Sequence, residues 1–518
     1  MTSPPSTPDI RLSSSTGRWI LASTILASSM AFIDSTALNV VLPSLQEDLN
    51  AQGTDIFWIL NAYLLMLAAL ILVGGALGDK LGRKRVFMVG IVIFVLASVA
   101  CGLSPSVNAL IIARGVQGLG GALMIPGSLS IISATFHDKE KGRAIGTWSA
   151  ATTLVTVGGP ILGGALGDAG LWRAIFYINV PLGLATLFVL ATRVPESSDG
   201  SIDHRLDYAG AATVVLGLAL LTFGFLEIPE LGGTWPVYAS LGAGALALVA
   251  FVIIEQRSDH PMVPLGLFKN KTFTGANVLT FFLYAALAAA LLFLTLNLVQ
   301  IQGYSQLQAG LSFLPFTLLM ATFARSAGAL VDRYGPRWLL IIGPTVVGIG
   351  FLLLSGVGRT DGPADFWTTF FPGIVVFAAG MTLTVVPLTT TVMGAVADRN
   401  AGTASGVNNA LTRTASVFAN AVVGALAIVF FTQDLERSTA DLTLAPDVKQ
   451  ALMAQAINLG DAQVPEAVGD ENQAAVADAY QEAFVTAFRR IMYISAGLAF
   501  LSAAAAFWLI DARVKEPA

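Results

Sequence analysis

The chain has 518 residues and a mass of 54.0 kDa, with 55% hydrophobic and 12% charged residues, a mean hydropathy of +0.73 and a net charge of −5. A soluble globular chain carries roughly 25% charged residues, so the composition excludes a cytosolic enzyme, a disordered scaffold and a secreted domain. The apolar residues run continuously instead of alternating, which excludes an outer-membrane barrel and leaves a polytopic helical membrane protein. Residues 1–18 are rich in Ser, Thr and Pro and read as a disordered tail. The apolar run after Trp19 is too long for a cleaved signal peptide and reads as an uncleaved anchor. Fourteen apolar spans follow in order: 19–42, 54–77, 85–104, 107–129, 144–168, 174–192, 208–228, 236–255, 272–299, 306–331, 337–357, 368–393, 402–431 and 487–511.

An even count of spans puts both termini on one side of the membrane, and basic residues decide which. Connectors on the side of the termini hold nineteen Lys and Arg, those on the other side six, and Arg114, Arg325 and Arg413 fall within spans. The bias predicts that both termini are cytoplasmic. The acidity is local. Residues 432–486 hold ten Asp and Glu against Arg437 and Lys449, and the rest of the chain is +3. That loop reads as a solvated extracellular cap with short surface helices, or as a vestibule that gathers cations; nothing in the charge implies a nucleic-acid partner. Cys101 is the one cysteine, so no intramolecular disulfide forms, and His137, His204 and His260 lie far apart in polar connectors. No phosphate-loop motif is present, so uphill work has to come from an ion gradient or a partner.

The sequence repeats. GALGDKLGRKR at 75–85 recurs as GALVDRYGPRW at 328–338, and GRAIG at 142–146 recurs as GTASG at 402–406, at nearly one offset. Two homologous halves are predicted, residues 19–192 and 272–511, each of six spans, with two spans inserted at 208–255 and a short tail at 512–518. Duplicated halves are a transporter signature, with the substrate site expected at midplane between them. Asp34 is the carboxylate nearest the middle of a span; burying it is costly, so it faces an interior cavity and is functional by default. At 1.5 Å per residue, Asp34 lies about 12 Å and Arg114 about 10 Å below the outer ends of their spans, so their depths match. A structural Asp in a helix interface and an Arg bonded to helix carbonyls are the alternative readings.

GGALGDKLGRKR (Gly74 to Arg85) resembles the cytoplasmic loop motif of the major facilitator superfamily. ARGVQGLGGA (Ala113 to Ala122) resembles its Arg-containing motif and GGPILGG (Gly158 to Gly164) the antiporter motif of its exporters. DSTALNVVLP (Asp34 to Pro43) resembles the marker of its fourteen-helix drug:proton antiporter branch, often called DHA2. The likeness extends over about 19–511. It implies an all-α membrane protein of the major facilitator fold, with 14 transmembrane helices as two six-helix bundles plus two inserted helices. It also implies that Asp34 and Arg114 couple protons, and that Gly75, Gly78, Asp79, Gly82, Arg83, Lys84 and Arg85, echoed by Asp332 and Arg337, form a cytoplasmic gate tying the halves together. Topogenic charge alone is the other reading of that loop. Gly158, Gly159, Pro160, Gly163 and Gly164 imply a kinked, close-packed helix at a rocking contact and favour export. Pro336 departs from the pattern of the second loop copy. Asn409 and Arg413 match a family position, but Ser416, Phe418 and Asn420 stand where small residues are usual.

Candidate cavity residues are Asn39, Trp58, Asn61, Tyr63, Gln117, Tyr284, Asn297, Phe313, Phe316, Asn408, Asn409 and Arg413, each of which also suits plain helix packing. Arg325 reads as snorkelling to the cytoplasm, and Glu227 and Glu255 as lying near water at the ends of the inserted helices. One deep acid among many apolar residues suits lipophilic substrates better than multivalent cations. The resulting expectation is a monomeric, proton-coupled secondary antiporter in a bacterial inner membrane, exporting lipophilic or cationic drugs by alternating access. It needs protons, lipophilic small molecules and the bilayer, and no cofactor, metal or nucleic acid. A translocator of lipids or lipid-like metabolites is the alternative, and a non-transporting sensor or scaffold a further one. A channel is disfavoured, since no ring of charges is present.

Overall fold

The computed structural model describes residues 10–196, 207–259, 261–396, 401–440, 442 and 444–511. Among them the α-helices are α1 Ser15–Leu49, α2 Gly53–Leu81, α3 Arg83–Leu103, α4 Val107–Thr135, α5 Asp138–Asp168, α6 Ala174–Tyr177, α7 Asn179–Arg193, α8 Tyr208–Leu231 and α9 Trp235–Arg257. They continue as α10 Lys271–Leu296, α11 Gln306–Leu311, α12 Leu314–Tyr334, α13 Pro336–Ser355, α14 Phe370–Gly394, α15 Ala401–Ser438, α16 Pro446–Ala454 and α17 Asp470–Leu509. Thirteen helical stretches of the described residues are long and apolar enough to cross a membrane, and each falls on a span read from the sequence. The remaining span, 144–168, falls on α5, a 31-residue helix whose apolar part is the shorter Leu154–Asp168.

Local chemistry explains the breaks. The Ser14 hydroxyl accepts from the Gly17 amide and starts α1, and Asn50 ends it in the left-handed conformation (φ 50°). The span at 306–331 is broken into α11 and α12, with Pro315 in the first turn of α12, where a missing N–H costs least. The span at 174–192 is likewise two helices, α6 and α7.

Helices α1–α7 pack as one set and α10–α17 as another, and the hairpin α8–α9 lies against α2 and α15, one helix from each set. The duplication seen in the sequence recurs as geometry. Gly120 of α4 sits against the Gly90 carbonyl and the Phe94 amide of α3, and Gly380 of α14 sits against Gly343 and Val347 of α13 in the same way. A side chain at either glycine would strike backbone, so close helix approach requires it. Gly82 and Gly335 each make a single-residue turn between two helices at positive φ (107° and 76°).

Several expectations need correction. Residues 10–14 are not disordered: Ile10 pairs with Phe136, and the Leu12 amide donates to a Glu140 carboxylate oxygen at 2.6 Å. Residues 1–9 and 512–518 lie outside the described residues. The acidic segment 432–486 is mostly helical, and at both ends its helices are continuous with the flanking spans. α15 extends to Ser438, α16 lies within the segment, and α17 begins at Asp470, well before the span starting at 487. Leu452, Ala456, Leu459 and Val468 are buried in the main core, so apolar residues spaced between the acids anchor this cap. Burial and the neighbouring Glu47 push the Asp461 carboxyl up from its ordinary range.

Candidate functional site

Asp34 of α1, Arg114 and Gln117 of α4, and Ser98 of α3 converge inside the first helix set, and all four are fully buried or nearly so. Arg114 and Gln117 are three residues apart and therefore share a helix face. An Arg114 terminal nitrogen donates to Asp34 Oδ2 at 2.5 Å and to Gln117 Oε1 at 2.7 Å. Gln117 Nε2 donates to the other Asp34 oxygen at 2.8 Å and to the Ser98 hydroxyl at 2.9 Å. Arg114 Nε donates to the Ile59 carbonyl at 3.3 Å, and its guanidinium carbon lies 4.4 Å from the Tyr63 ring centroid. Asn179 at the start of α7 donates to Ser98 at 3.2 Å, which extends the network to a fifth helix. A charge pair in so dry a place persists only where hydrogen bonds satisfy both ions, and this network supplies them.

Ser98, Phe176 and Asn179 were not singled out in the sequence. Short polar residues in apolar runs are common helix filler, and only their position opposite Gln117 gives them meaning. Phe176 presents its ring 6.0 Å from the Arg114 guanidinium. Asn61, one of the cavity candidates, is buried with neither amide atom hydrogen-bonded.

The other candidates divide. Arg413 of α15 is part-exposed, and Tyr284 of α10 is part-buried. Asn39 is part-exposed on α1 and Asn409 is exposed on α15. Phe313 caps α12, and the Phe316 ring stacks on Phe377 at 5.3 Å. Three candidates are tied up in packing. Trp58 turns to the inserted helix and donates to Glu227 at 3.2 Å. Asn297 accepts from Gln302 at 3.0 Å in the distorted stretch that follows α10. Asn408 donates to Thr280 at 2.7 Å and to Asn277 at 3.1 Å, locking α15 to α10. Glu255 is only 3% exposed, contrary to its expected place near water, because its carboxylate binds the following linker.

The loop motif makes its described contacts within the first set. Lys84 Nζ donates to the Val194 carbonyl at 2.7 Å, the Lys84 amide to Glu196 at 3.0 Å, and Arg85 lies 3.6 Å from Glu196. Gly82 packs on the same carboxylate, Gly78 on Arg83, and Gly75 on Pro126. In the second copy an Arg337 terminal nitrogen donates to the Phe507 carbonyl at 2.7 Å. Each basic residue thus stands two positions after the turn glycine and holds the end of its own set's last span. The side chains of Asp79, Arg325 and Asp332 lie outside the described residues.

The glycine motif of α5 works on two sides. Gly159 and Gly163 press on Thr36 and Ala37 of α1, two and three residues from Asp34. Gly164 meets the backbone of Gln306 and Leu307 in the second set, and Pro160 meets Gly310 of α11. Gly158 has open space around it. Beside this contact Asp168 accepts from the Gln306 and Leu307 amides at 2.7 and 3.1 Å, Gln306 bonds Ser44, and Gln300 bonds Gln46 at 3.2 Å. The two sets are therefore fastened together at the end that carries the acidic cap.

Residues 24–420 match the sequence profile described as Major Facilitator Superfamily. The chain is 34% identical over 418 residues to "Multidrug resistance protein Stp" of Mycobacterium tuberculosis, an alignment covering 80% of this chain and 77% of that one. It is 31% identical to "Tetracenomycin C resistance and export protein" of Streptomyces glaucescens, covering 77% and 73%. It is also 31% identical to "Methylenomycin A resistance protein" of Bacillus subtilis, covering 80% and 88%. Among solved structures, an inward-facing, unoccupied bacterial homologue of the human lysosomal transporter Spinster superposes with a TM-score of 0.64 at 18% identity, covering 98% and 100% of the two chains.

Proposed function

This chain belongs to the major facilitator superfamily, and we propose that it is a secondary antiporter exchanging protons for lipophilic or cationic drugs, which it exports across the plasma membrane. The observation that carries this reading is the buried Asp34–Arg114 pair with Gln117 on the second carboxylate oxygen. The drug and antibiotic resistance named for its relatives supports the substrate class. The bias of Lys and Arg supports cytoplasmic termini, which makes the fastened end extracellular.

In this conformation Asp34 is ionised against Arg114 and sealed from both sides. Opening the outer end, by separating Asp168 and Ser44 from Gln306, exposes it to external protons. A proton on Asp34 removes the negative charge that holds Arg114, so the site, now carrying only the guanidinium charge, returns inward with its contacts loosened. A lipophilic cation entering from the inside replaces that proton, because both neutralise the same carboxylate. The glycines at 159 and 163 let α5 transmit the change, as they touch α1 within one turn of Asp34 while Gly164 touches the opposite set.

The test is transport in proteoliposomes. With an acidic lumen, chains inserted inside-out are expected to accumulate ethidium and to leak protons in step with it. Ethidium accumulation unaffected by collapsing the gradient would overturn proton antiport. Failure of ethidium and other lipophilic cations to move, with labelled lipid crossing instead, would overturn the drug reading in favour of lipid translocation.

A further inference from the structure

Helix α2 turns a stripe of residues, four apart, toward the second set. Gly53 packs on the Ile457 carbonyl of the acidic cap. Phe57 lies against Gly424 of α15, its ring 2.9 Å from where a Cβ on that glycine would stand, and its centroid is 6.1 Å from that of Phe293 of α10. Leu65 is buried in one apolar cluster with Val417 of α15 and Leu218 of α8. Asn61 stands between Phe57 and Leu65, and side chains four apart share a helix face, so it meets the same seam. It is 0% exposed, and among the described residues neither atom of its amide has a hydrogen-bond partner. Helix α15 runs antiparallel to α2, since Phe57 meets Gly424, Leu65 clusters with Val417 and Leu72 meets Gly406. That register sets the buried Asn420 level with Asn61, and the two amides are not bonded to each other.

A buried amide without partners has given up water at a donor and at an acceptor and gained no bond in exchange. Asn61 lies about 12 Å along α2 from its start at Gly53, in the half of the seam that lies under the acidic cap. The neighbouring contacts favour closure there. Phe57 fills the space beside Gly424, Leu65 buries apolar surface, and Asp168 and Ser44 hold Gln306 across the two sets. The Asn61 amide opposes them. When the sets part at this end, water reaches the amide and its penalty disappears.

We propose that Asn61 is a counterweight in the seal between the two helix sets. Its unpartnered amide raises the free energy of the closed seam and so keeps the capped end within reach of opening. The residue acts on the balance between closed and open states, and it neither binds the proton nor carries the charge of the Asp34 network. The proposal rests on alternating access, in which the sets part at the capped end.

Double electron–electron resonance on the full chain in nanodiscs tests this. Spin labels are placed through Asn108→Cys and Ala474→Cys, at exposed positions near the capped end of the first and second set; Cys101 is fully buried, out of reach of the reagent. With Asn61 in place, a short and a long distance are expected. Asn61→Leu keeps the branching of the side chain and removes both polar atoms, and it should lower the long-to-short ratio about tenfold. Asn61→Val, nearer to Asn in volume, should lower it as well, which keeps the test open if Asn61→Leu fails to fold. A ratio unchanged or raised in these variants would overturn the proposal, because it means that water or a neighbouring group satisfies the amide. A single distance with Asn61 in place, with and without ethidium and from acid to neutral pH, would overturn alternating access and the proposal with it.

Discussion

The two helix sets are built alike and filled differently. The offset that carries Gly90 and Phe94 onto Gly343 and Val347 also carries Tyr63 onto Phe316 and Ser98 onto Phe351. The offset that carries Gly120 onto Gly380 carries Arg114 onto Ile374 and Gln117 onto Phe377. The first set therefore holds a hydrogen-bonded ion network where the second holds an aromatic stack, Phe316 on Phe377 at 5.3 Å and Phe377 on Phe351 at 5.7 Å. Helix α10 carries no carboxylate at all. Duplication has kept the backbone contacts, which glycine alone permits, and released the side chains in between. At these matching positions one set holds a charge pair and the other a stack of rings.

Transposing residues between the halves tests that contrast. The largest effect is expected from Arg114→Ile, which gives the first set the second set's residue and leaves Asp34 buried without its cation. Breaking one partner of a buried pair costs about 3–5 kcal/mol, to be read as unfolding free energy by steric trapping in bicelles. An unchanged stability would mean that Asp34 is already neutral in the resting protein. The reverse exchange, Phe377→Gln, buries an amide among rings that offer it no partner. A loss of about 2 kcal/mol is expected in the same measurement, and a gain would contradict the apolar stack.

Smaller effects separate the shared scaffold from the site. Gly163→Val drives a side chain into Ala37 of α1, and overpacking of this kind costs about 1–3 kcal/mol. Ethidium transport should fall further than stability, because the same contact moves when α5 rocks. Lys84→Ala and Arg337→Ala each remove one bond to the carbonyl at the end of a last span, worth roughly 1 kcal/mol. Equal losses are expected, and a marked inequality would mean that the two turns are not equivalent. Gly158→Ala, with open space around it, should stay within about 0.5 kcal/mol of wild type.

Much of this was legible in the sequence because membrane spans and buried charge leave strong signals. The span positions followed from apolar runs, and the Asp34–Arg114 pairing from matching depth together with the family resemblance, which implies that their helices adjoin. Other features were invisible for physical reasons. Ser98 and Asn179 look like any small polar residue until a neighbouring helix places Gln117 against Ser98. The length of α17 was missed because Asp470–Phe484 is helical but polar, and hydropathy registers only the membrane part. Trp58 and Asn408 looked like cavity residues because their types suit ligands, yet each spends its polar atom on a neighbouring helix. Glu255 looked solvent-exposed because a helix end usually meets water; the linker at Val263 folds back over it.

The central claim is that the Asp34 carboxylate couples drug movement to protons, and one comparison tests it most directly. Wild type and Asp34→Asn are reconstituted, and two rates are measured in the same vesicles: exchange of labelled for unlabelled ethidium without a gradient, and accumulation driven by an acidic lumen. Asp34→Asn keeps the shape of the side chain and removes the charge that proton and cation both neutralise, so gradient-driven accumulation should be lost and exchange should fall with it. Accumulation retained by Asp34→Asn at the wild-type level would contradict the account and move the coupling site elsewhere.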